Sequence, residues 1–182
     1  MSTSDMDVEE KNSQQQAGPR SNAEALGQIF ILLAQSKLHR SWRVVEMERY
    51  LMPALQHRQY RIYFDKTGIP FGYVSWAWFT KEVEDRYLAG GYVIQPTDWI
   101  GGDRAWIMDW IAPNGGTRYM VKDIRSLSPT VWKYRPVKAI RPNKVGPGQK
   151  VVVFGRPSVR AKAEWKVKLI NEHLGVLGTT NQ

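Results

Sequence analysis

The sequence predicts an α+β domain in which a central, mostly antiparallel sheet is flanked by helices. The chain has 182 residues and 42% hydrophobic content, which is enough for one domain with a real core. Helical periodicity comes first along the chain, strands that can pair antiparallel follow, and further helices are interspersed. This order favours a mixed α/β or α+β sheet over a doubly wound parallel one.

The amino-terminal part divides into a tail and two helical patterns. Residues 1–22 are polar and mildly acidic, so we expect a disordered tail followed by a single domain over residues 23–182. Ser21 or Asn22 is a plausible cap for a first helix, which continues at helical spacing to about Gln35. A second helical pattern runs from Val44 to Leu55, and Pro53 either kinks it or starts a new turn.

The rest of the chain alternates strands and helices. A turn at residues 66–68 joins two strands and predicts a hairpin, and Thr80 is a plausible cap for a short charged helix to about Leu88. The expected strands are 60–64, 71–78, 104–111, 137–141 and 151–154. The expected later helices are 119–127 and 158–173.

Composition excludes several classes of chemistry. The chain has no cysteine, so disulfides, zinc-thiolate sites and thiol nucleophiles are excluded. It lacks the order of a signal peptide and any apolar run of roughly 18 residues, so secretion and stable membrane insertion are not expected. Lysine and arginine number 26 against 17 acidic residues, a net charge of +9 that predicts an acidic partner without naming it.

The strand 104–111 carries a carboxylate, Asp109, among apolar residues. A strand that is apolar on both sides is buried on both sides, so this carboxylate needs a hydrogen-bonding or cationic partner. Its role is either structural or catalytic, and the residue type leaves both open. Strict alternation predicts one face with Trp106, Met108 and Trp110 and another with Ile107, Asp109 and Ile111.

Of the three histidines, one lies in a loop. His57 and His173 stand near the ends of predicted helices, where the helix dipole favours them. His39 lies in the connection between the first two helical patterns, and loops carried by rigid elements often hold catalytic groups. A histidine can accept a proton from an amine or attack a thioester, and a carboxylate on its far nitrogen would stabilise its cation. His39 and Asp109 would form such a dyad if the fold brings them together.

Other catalytic signatures are missing. There is no Gly-x-Ser-x-Gly elbow, Walker loop or His-Glu-x-x-His. The glycine-rich residues 143–148 faintly resemble the pyrophosphate loop of coenzyme A-dependent acetyltransferases, but a strand follows them, so a hairpin turn explains them better. The calculated pI near 9.8 and interleaved aromatic and basic residues keep a nucleic-acid-binding domain as a further alternative.

Several motifs resemble one known family, the toxin-activating lysine acyltransferases. The similarity covers about residues 24–154, and its longest block is the most specific. The motifs are Ser36-x-Leu38-His39-Arg40-x-Trp42, Pro53-Ala54, Tyr73-x-Ser75-Trp76-Ala77 and Gly102-Asp103-Arg104-x-Trp106-Ile107-x-Asp109-Trp110-Ile111-Ala112-Pro113.

This resemblance implies a Gcn5-acetyltransferase-like fold and a cytoplasmic enzyme. It implies acyl transfer from acyl carrier protein, without a bound cofactor, to internal lysines of an RTX-type protoxin that is thereby activated for cytolysis. His39 and Asp109 match the family's catalytic pair, and Ser36 matches a serine linked to activity. The resemblance also implies a homodimer and no nucleic-acid partner.

Two further sets of residues complete the hypothesis. We expect the acyl chain to lie against aromatic residues near Ser75, Trp76 and Trp78, with its thioester beside His39. The basic carboxy-terminal helix would dock the acidic carrier protein, although a solvated helix face explains its charges equally well. Its basic residues are Arg160, Lys162, Lys166 and Lys168.

Overall fold

The computed structural model describes residues 21–127, 130–133, 135–142 and 149–154. Helices and strands alternate in the order expected, which confirms the α+β class. The chain forms two compact units that meet in sequence between residues 121 and 122. Residues 1–20 of the predicted tail lie outside the described part, and the single domain over residues 23–182 stays a prediction.

The helices of the first unit begin and end close to the predicted positions. Helix α1 spans Asn22–Gln35, and the side chain of Ser21 accepts a hydrogen bond from the backbone N–H of Glu24 at its start. Helix α2 spans Val44–Tyr50 and helix α3 spans Met52–Gln56. Pro53 therefore starts a new turn, where its missing N–H costs nothing.

Three antiparallel strands form the sheet of the first unit. Strand β1 spans Tyr60–Phe64, β2 spans Pro70–Phe79 and β3 spans Arg104–Ile111. Strand β2 pairs with both others and is buried along most of its length. The β1–β2 hairpin is the one predicted.

A bulge in β3 corrects the predicted faces of that strand. Ser75 pairs with Asp109, but the next residue of β2 pairs with Ile107, so Met108 is an extra residue in the ladder. Because paired residues share a face, the bulge moves Trp106 to the side of Asp109 and Ile107 to the opposite side. The prediction of strict alternation was wrong there, since it assumed a regular strand.

The remaining elements connect and cover the strands. Helix α4 spans Lys81–Ala89, and the side chain of Thr80 caps it by accepting from Val83 N–H, as predicted. A 3₁₀ helix, Pro96–Trp99, was not predicted. Helix α5 spans Thr117–Ser126. No helix in the described part of the chain is both long and apolar enough to cross a membrane.

The core of the first unit lies between α1 and one face of the sheet. Ile29 and Leu32 of α1 are fully buried, and they belong to one cluster with Tyr73 of β2 and Ile111 of β3. Side chains two residues apart on a strand share a face, so Ser75 and Asp109 point to the same side as this core. The predicted carboxylate therefore lies on the face that α1 covers.

The second unit contains an antiparallel pair of strands. Strand β4 spans Val137–Pro142 and β5 spans Gln149–Phe154, which confirms both predicted strands. Trp132 is buried in this unit, and its Nε1–H donates to the carbonyl oxygen of Ile124. The glycine-rich residues 143–148 and the predicted helix 158–173 lie outside the described residues.

Candidate active site

A tight loop after α1 turns His39 inward. The carbonyl oxygen of Ser36 accepts from the backbone N–H groups of His39, at 3.2 Å, and Arg40, at 3.0 Å. The carbonyl oxygen of His39 in turn accepts from Trp42 N–H at 2.9 Å. These turns leave Leu38 71% exposed but only 6% of His39 exposed. Local backbone hydrogen bonds therefore decide that the imidazole faces the protein.

Ser36 holds one nitrogen of the imidazole. Its hydroxyl lies 2.6 Å from Nδ1 of His39, and both side chains are buried. The two residues are three apart within one turn, so the loop itself brings them together. The hydroxyl orients the ring and can either accept a hydrogen bond from Nδ1–H or donate one to an unprotonated Nδ1, depending on the tautomer.

Asp109 faces the other nitrogen. Its Oδ1 lies 3.7 Å from Nε2 of His39, and the two side chains are 8% and 6% exposed. This distance is longer than a hydrogen bond but short enough for strong attraction once the imidazole is protonated. The structure thus confirms that the loop histidine and the strand carboxylate meet. Oδ2 of Asp109 is buried and makes no hydrogen bond to the described residues.

Hydroxyl groups share the face of Asp109. Ser75 is its cross-strand partner, and Tyr73 lies two residues earlier on the same side of β2. Both are fully buried. Burial raises the pKa of Tyr73 well above its usual range, and the charge of Asp109 raises it further. Tyr73 therefore stays a neutral phenol near the carboxylate.

Aromatic rings lie next to His39. The ring centroids of His39 and Trp42 lie 4.8 Å apart in an edge-to-face arrangement, and those of Trp42 and Tyr50 lie 5.6 Å apart. Burial raises the pKa of Tyr87 to about 12, and the charges of Asp109 and Tyr50 act in the same direction. Trp42, Tyr50 and Tyr87 are each only half-buried.

A buried ion pair supports this face and was missed in the sequence. Glu84 of α4 accepts hydrogen bonds from Nη1 of Arg104, at 2.6 Å, and Nε1 of Trp106, at 2.7 Å. It is 3% exposed although it stands in a run of charged residues, which is the pattern of a solvated helix face. The bulge brings the ring of Trp106 to the Asp109 side, where it packs against Tyr87 at 5.3 Å.

The structure brings some of the predicted substrate residues to this site but not others. Ser75 lies on the face of His39 and Asp109, whereas alternation along β2 places Trp76 and Trp78 on the opposite face. A contact of these two rings with an acyl chain stays a prediction, and it would lie across the sheet from the dyad. Arg160, Lys162, Lys166 and Lys168 lie outside the described residues. Within the described residues, no three histidine or acidic side chains form a group suited to a metal ion.

Comparison with known proteins decides the family. Residues 19–154 match the RTX toxin acyltransferase family (HlyC), which is most of the chain. The chain belongs to this family. The motif resemblance is thereby confirmed, and the protein is an acyltransferase.

Three characterised relatives of this acyltransferase illustrate the similarity. The RTX-II toxin-activating lysine-acyltransferase of Actinobacillus pleuropneumoniae is 38% identical over 76% of this chain and 85% of its own length. The leukotoxin-activating lysine-acyltransferase of Aggregatibacter actinomycetemcomitans is 33% identical over 83% and 90%, respectively. A protein-lysine myristoyltransferase of Kingella kingae is 33% identical over 75% and 79%.

Proposed function

We propose that this acyltransferase moves a fatty acyl chain from acyl carrier protein to lysine ε-amino groups of an RTX-type protoxin and so activates it. The observation that carries the proposal is the buried imidazole of His39 held between Ser36 and Asp109 in a member of this family. The relatives are a toxin-activating lysine-acyltransferase and a protein-lysine myristoyltransferase, which supports lysine as the acceptor and a fatty acid as the transferred group.

The reaction requires one proton to leave the acceptor before attack. Lysine is largely protonated at neutral pH, so the ammonium group must lose a proton before its nitrogen can attack the thioester carbon. We assign that proton to His39. The new carbon–nitrogen bond forms and the carbon–sulfur bond breaks, and the imidazolium of His39 gives its proton to the leaving carrier thiolate, which returns His39 to the neutral form. The second amine proton is released, so the products are an amide and a thiol.

The neighbours of His39 assist it in different ways. The carboxylate of Asp109 stabilises the imidazolium across 3.7 Å, and both groups are shielded from water. The hydroxyl of Ser36 orients the ring through Nδ1. The anionic oxygen of the tetrahedral intermediate needs hydrogen-bond donors as well, and we assign this role to backbone N–H groups.

The partners follow from charge and exposed apolar surface. The net charge of +9 suits an acidic carrier protein, and we retain the basic residues between Arg160 and Lys168 as its docking surface. Acyl carrier protein works in the cytoplasm, so the proposal locates the enzyme there. Phe30 and Ile31 expose apolar side chains on α1, and their burial would favour a homodimer.

A transfer assay tests the proposed function. Purified enzyme, labelled acyl-acyl carrier protein and an RTX protoxin fragment should yield labelled protoxin, with the label on lysine. His39→Gln should reduce the rate by about 10³ or more, because general base catalysis and imidazolium pairing are both lost. His57→Gln is the matched control and should keep the wild-type rate. Transfer by His39→Gln at the wild-type rate would contradict the role of His39.

The competing hypothesis is that the enzyme is an acetyltransferase whose acyl donor is acyl-coenzyme A. It predicts that acyl-coenzyme A supports transfer and that free coenzyme A competes with the donor. The carrier-protein assignment predicts transfer that is insensitive to free coenzyme A but inhibited by carrier protein without an acyl chain. The same labelled acceptor assay decides between them.

A further inference from the structure

Half-buried aromatic rings next to a buried carboxylate form a group of side chains that the acyl-transfer steps above do not use. We call Trp42, Tyr50 and Tyr87 the aromatic cluster. They come from the loop after α1, from α2 and from α4, and Trp42 is the member that contacts His39.

Ring contacts link Trp42 and Tyr50 of the cluster to the reacting imidazole. Trp42 meets the ring of His39 at 4.8 Å and the ring of Tyr50 at 5.6 Å. Tyr87 packs against Trp106 at 5.3 Å on the Asp109 side of β3, and the charges of Asp109 and Tyr50 both contribute to its raised pKa. A ligand that contacts the rings of Trp42 and Tyr50 therefore lies near the imidazole of His39 and the negative charge of Asp109.

The chemistry of the cluster suits a cation better than an alkyl chain. The faces of tryptophan and tyrosine rings are electron-rich, and a cation within about 6 Å of a ring centroid is attracted to them. The carboxylate of Asp109, with one oxygen lacking a hydrogen bond to described residues, adds a negative charge next to His39. A fatty chain would gain nothing from that charge, and it would have to desolvate the tyrosine hydroxyls.

The exposure of the rings also matches an acceptor that arrives from outside. Trp42 and Tyr50 are half-buried, so part of each ring stays in contact with solvent, while His39 and Asp109 are almost fully covered. A lysine side chain entering from the surface would pass the rings first and the imidazole last. This order fits a group that must be bound as an ammonium ion before it loses a proton.

We propose that the aromatic cluster is the binding subsite for the ammonium group of the acceptor lysine. The identity of the ligand as an acceptor lysine rests on the proposed function. The ring faces of Trp42 and Tyr50 hold the protonated side chain, and the charge of Asp109 orients it towards His39. The cluster thus selects the charged form of the substrate, which the base then deprotonates.

A pair of probes with the same shape and different charge tests the subsite. One is Nα-acetyl-Nε-trimethyl-lysine methylamide, which is cationic and cannot be acylated. The other has a tert-butyl carbon in place of the charged nitrogen. Each is titrated into the isotope-labelled protein without any acyl donor, and the indole N–H signals are followed by NMR. We expect the cationic probe to bind about fivefold more tightly and to shift the Trp42 signal.

Variants decide whether the cluster causes the preference. Trp42→Leu should remove the difference between the two probes, while Trp110→Phe, a half-buried tryptophan on the other face of β3, should retain it. Tyr50→Phe keeps the ring and should retain the preference, whereas Tyr50→Leu should reduce it. If Trp42→Leu gives a poorly dispersed spectrum, the two Tyr50 variants decide the question.

Several outcomes would overturn the subsite. Equal or tighter binding of the neutral probe would assign the rings to an apolar ligand such as the acyl chain. A preference that survives in both leucine variants, or no binding of the cationic probe to the wild type, would refute the proposal as well. Because the titration contains no donor, it is independent of the transfer assay. If the titration shows the preference for the cationic probe but the transfer assay shows no labelled protoxin, only the proposed function is refuted.

Discussion

Replacing Asp109 by asparagine isolates the charge that faces His39. The substitution keeps the size of the side chain and removes its negative charge, so the shape of the site is preserved. At 3.7 Å, two unit charges attract by about 4.5 kcal/mol if the effective dielectric constant is about 20. This is the largest loss that the pair itself can cause.

The expected loss of rate is smaller than this limit. The amide oxygen of asparagine keeps a dipole near Nε2, and water that relaxes around the cation recovers part of the energy. We therefore expect kcat to fall by roughly 10² to 10³, which corresponds to about 2.7–4 kcal/mol. The KM for acyl-acyl carrier protein should change little, because the charge acts on the imidazolium that forms during the reaction.

The assay measures initial rates of label transfer from acyl-acyl carrier protein to the protoxin fragment. Asp103→Asn is the matched control, since Asp103 is exposed and stands just before the same strand. It should keep the wild-type rate, and both variants should give native circular dichroism spectra. A rate for Asp109→Asn within threefold of wild type, with a native spectrum, would refute the electrostatic role of the carboxylate.

Three further predictions concern stability. Gly102→Ala should destabilise the fold by about 2–3 kcal/mol in urea unfolding, because its Cβ would overlap a backbone carbonyl of the neighbouring strand. Gly101→Ala is the matched control and should be nearly neutral, because the nearest neighbour of its Cβ would be a methyl group at 3.3 Å. Equal urea midpoints for the two alanine variants would contradict the close packing at Gly102. Glu84→Gln should cost about 3 kcal/mol because it removes the charge of Glu84 from its ion pair with the largely buried guanidinium of Arg104, and an unchanged melting temperature would contradict this. The pKa of Tyr87 is raised from 10.0 to about 12, so its neutral phenol stabilises the fold below pH 10 and this contribution is lost as the pH rises to 12. Tyr87→Phe should therefore lose less stability than wild type in thermal melts between these pH values, and identical pH dependence would count against the shift.

Local signals explain why so much of the fold could be predicted. The caps at Ser21 and Thr80 and the start of strand β3 at Arg104 depend on residues within a few positions of each other. Such patterns are visible within a short stretch of sequence. The 3₁₀ helix Pro96–Trp99 was missed because a proline and two polar residues also fit an irregular loop.

The sequence by itself indicated His39 and Asp109 as candidate catalytic residues. One is an imidazole in a short loop, and the other is a carboxylate in an apolar strand, which must find a partner. Only the tertiary structure decided that they meet, because 70 residues separate them and packing of α1 on the sheet sets their distance. It also decided the lining of the site. Met108 is an extra residue in β3, so the side chains that precede it in the strand lie on the opposite faces from those that strict alternation predicts. No local pattern in the sequence marks where a strand gains such a residue.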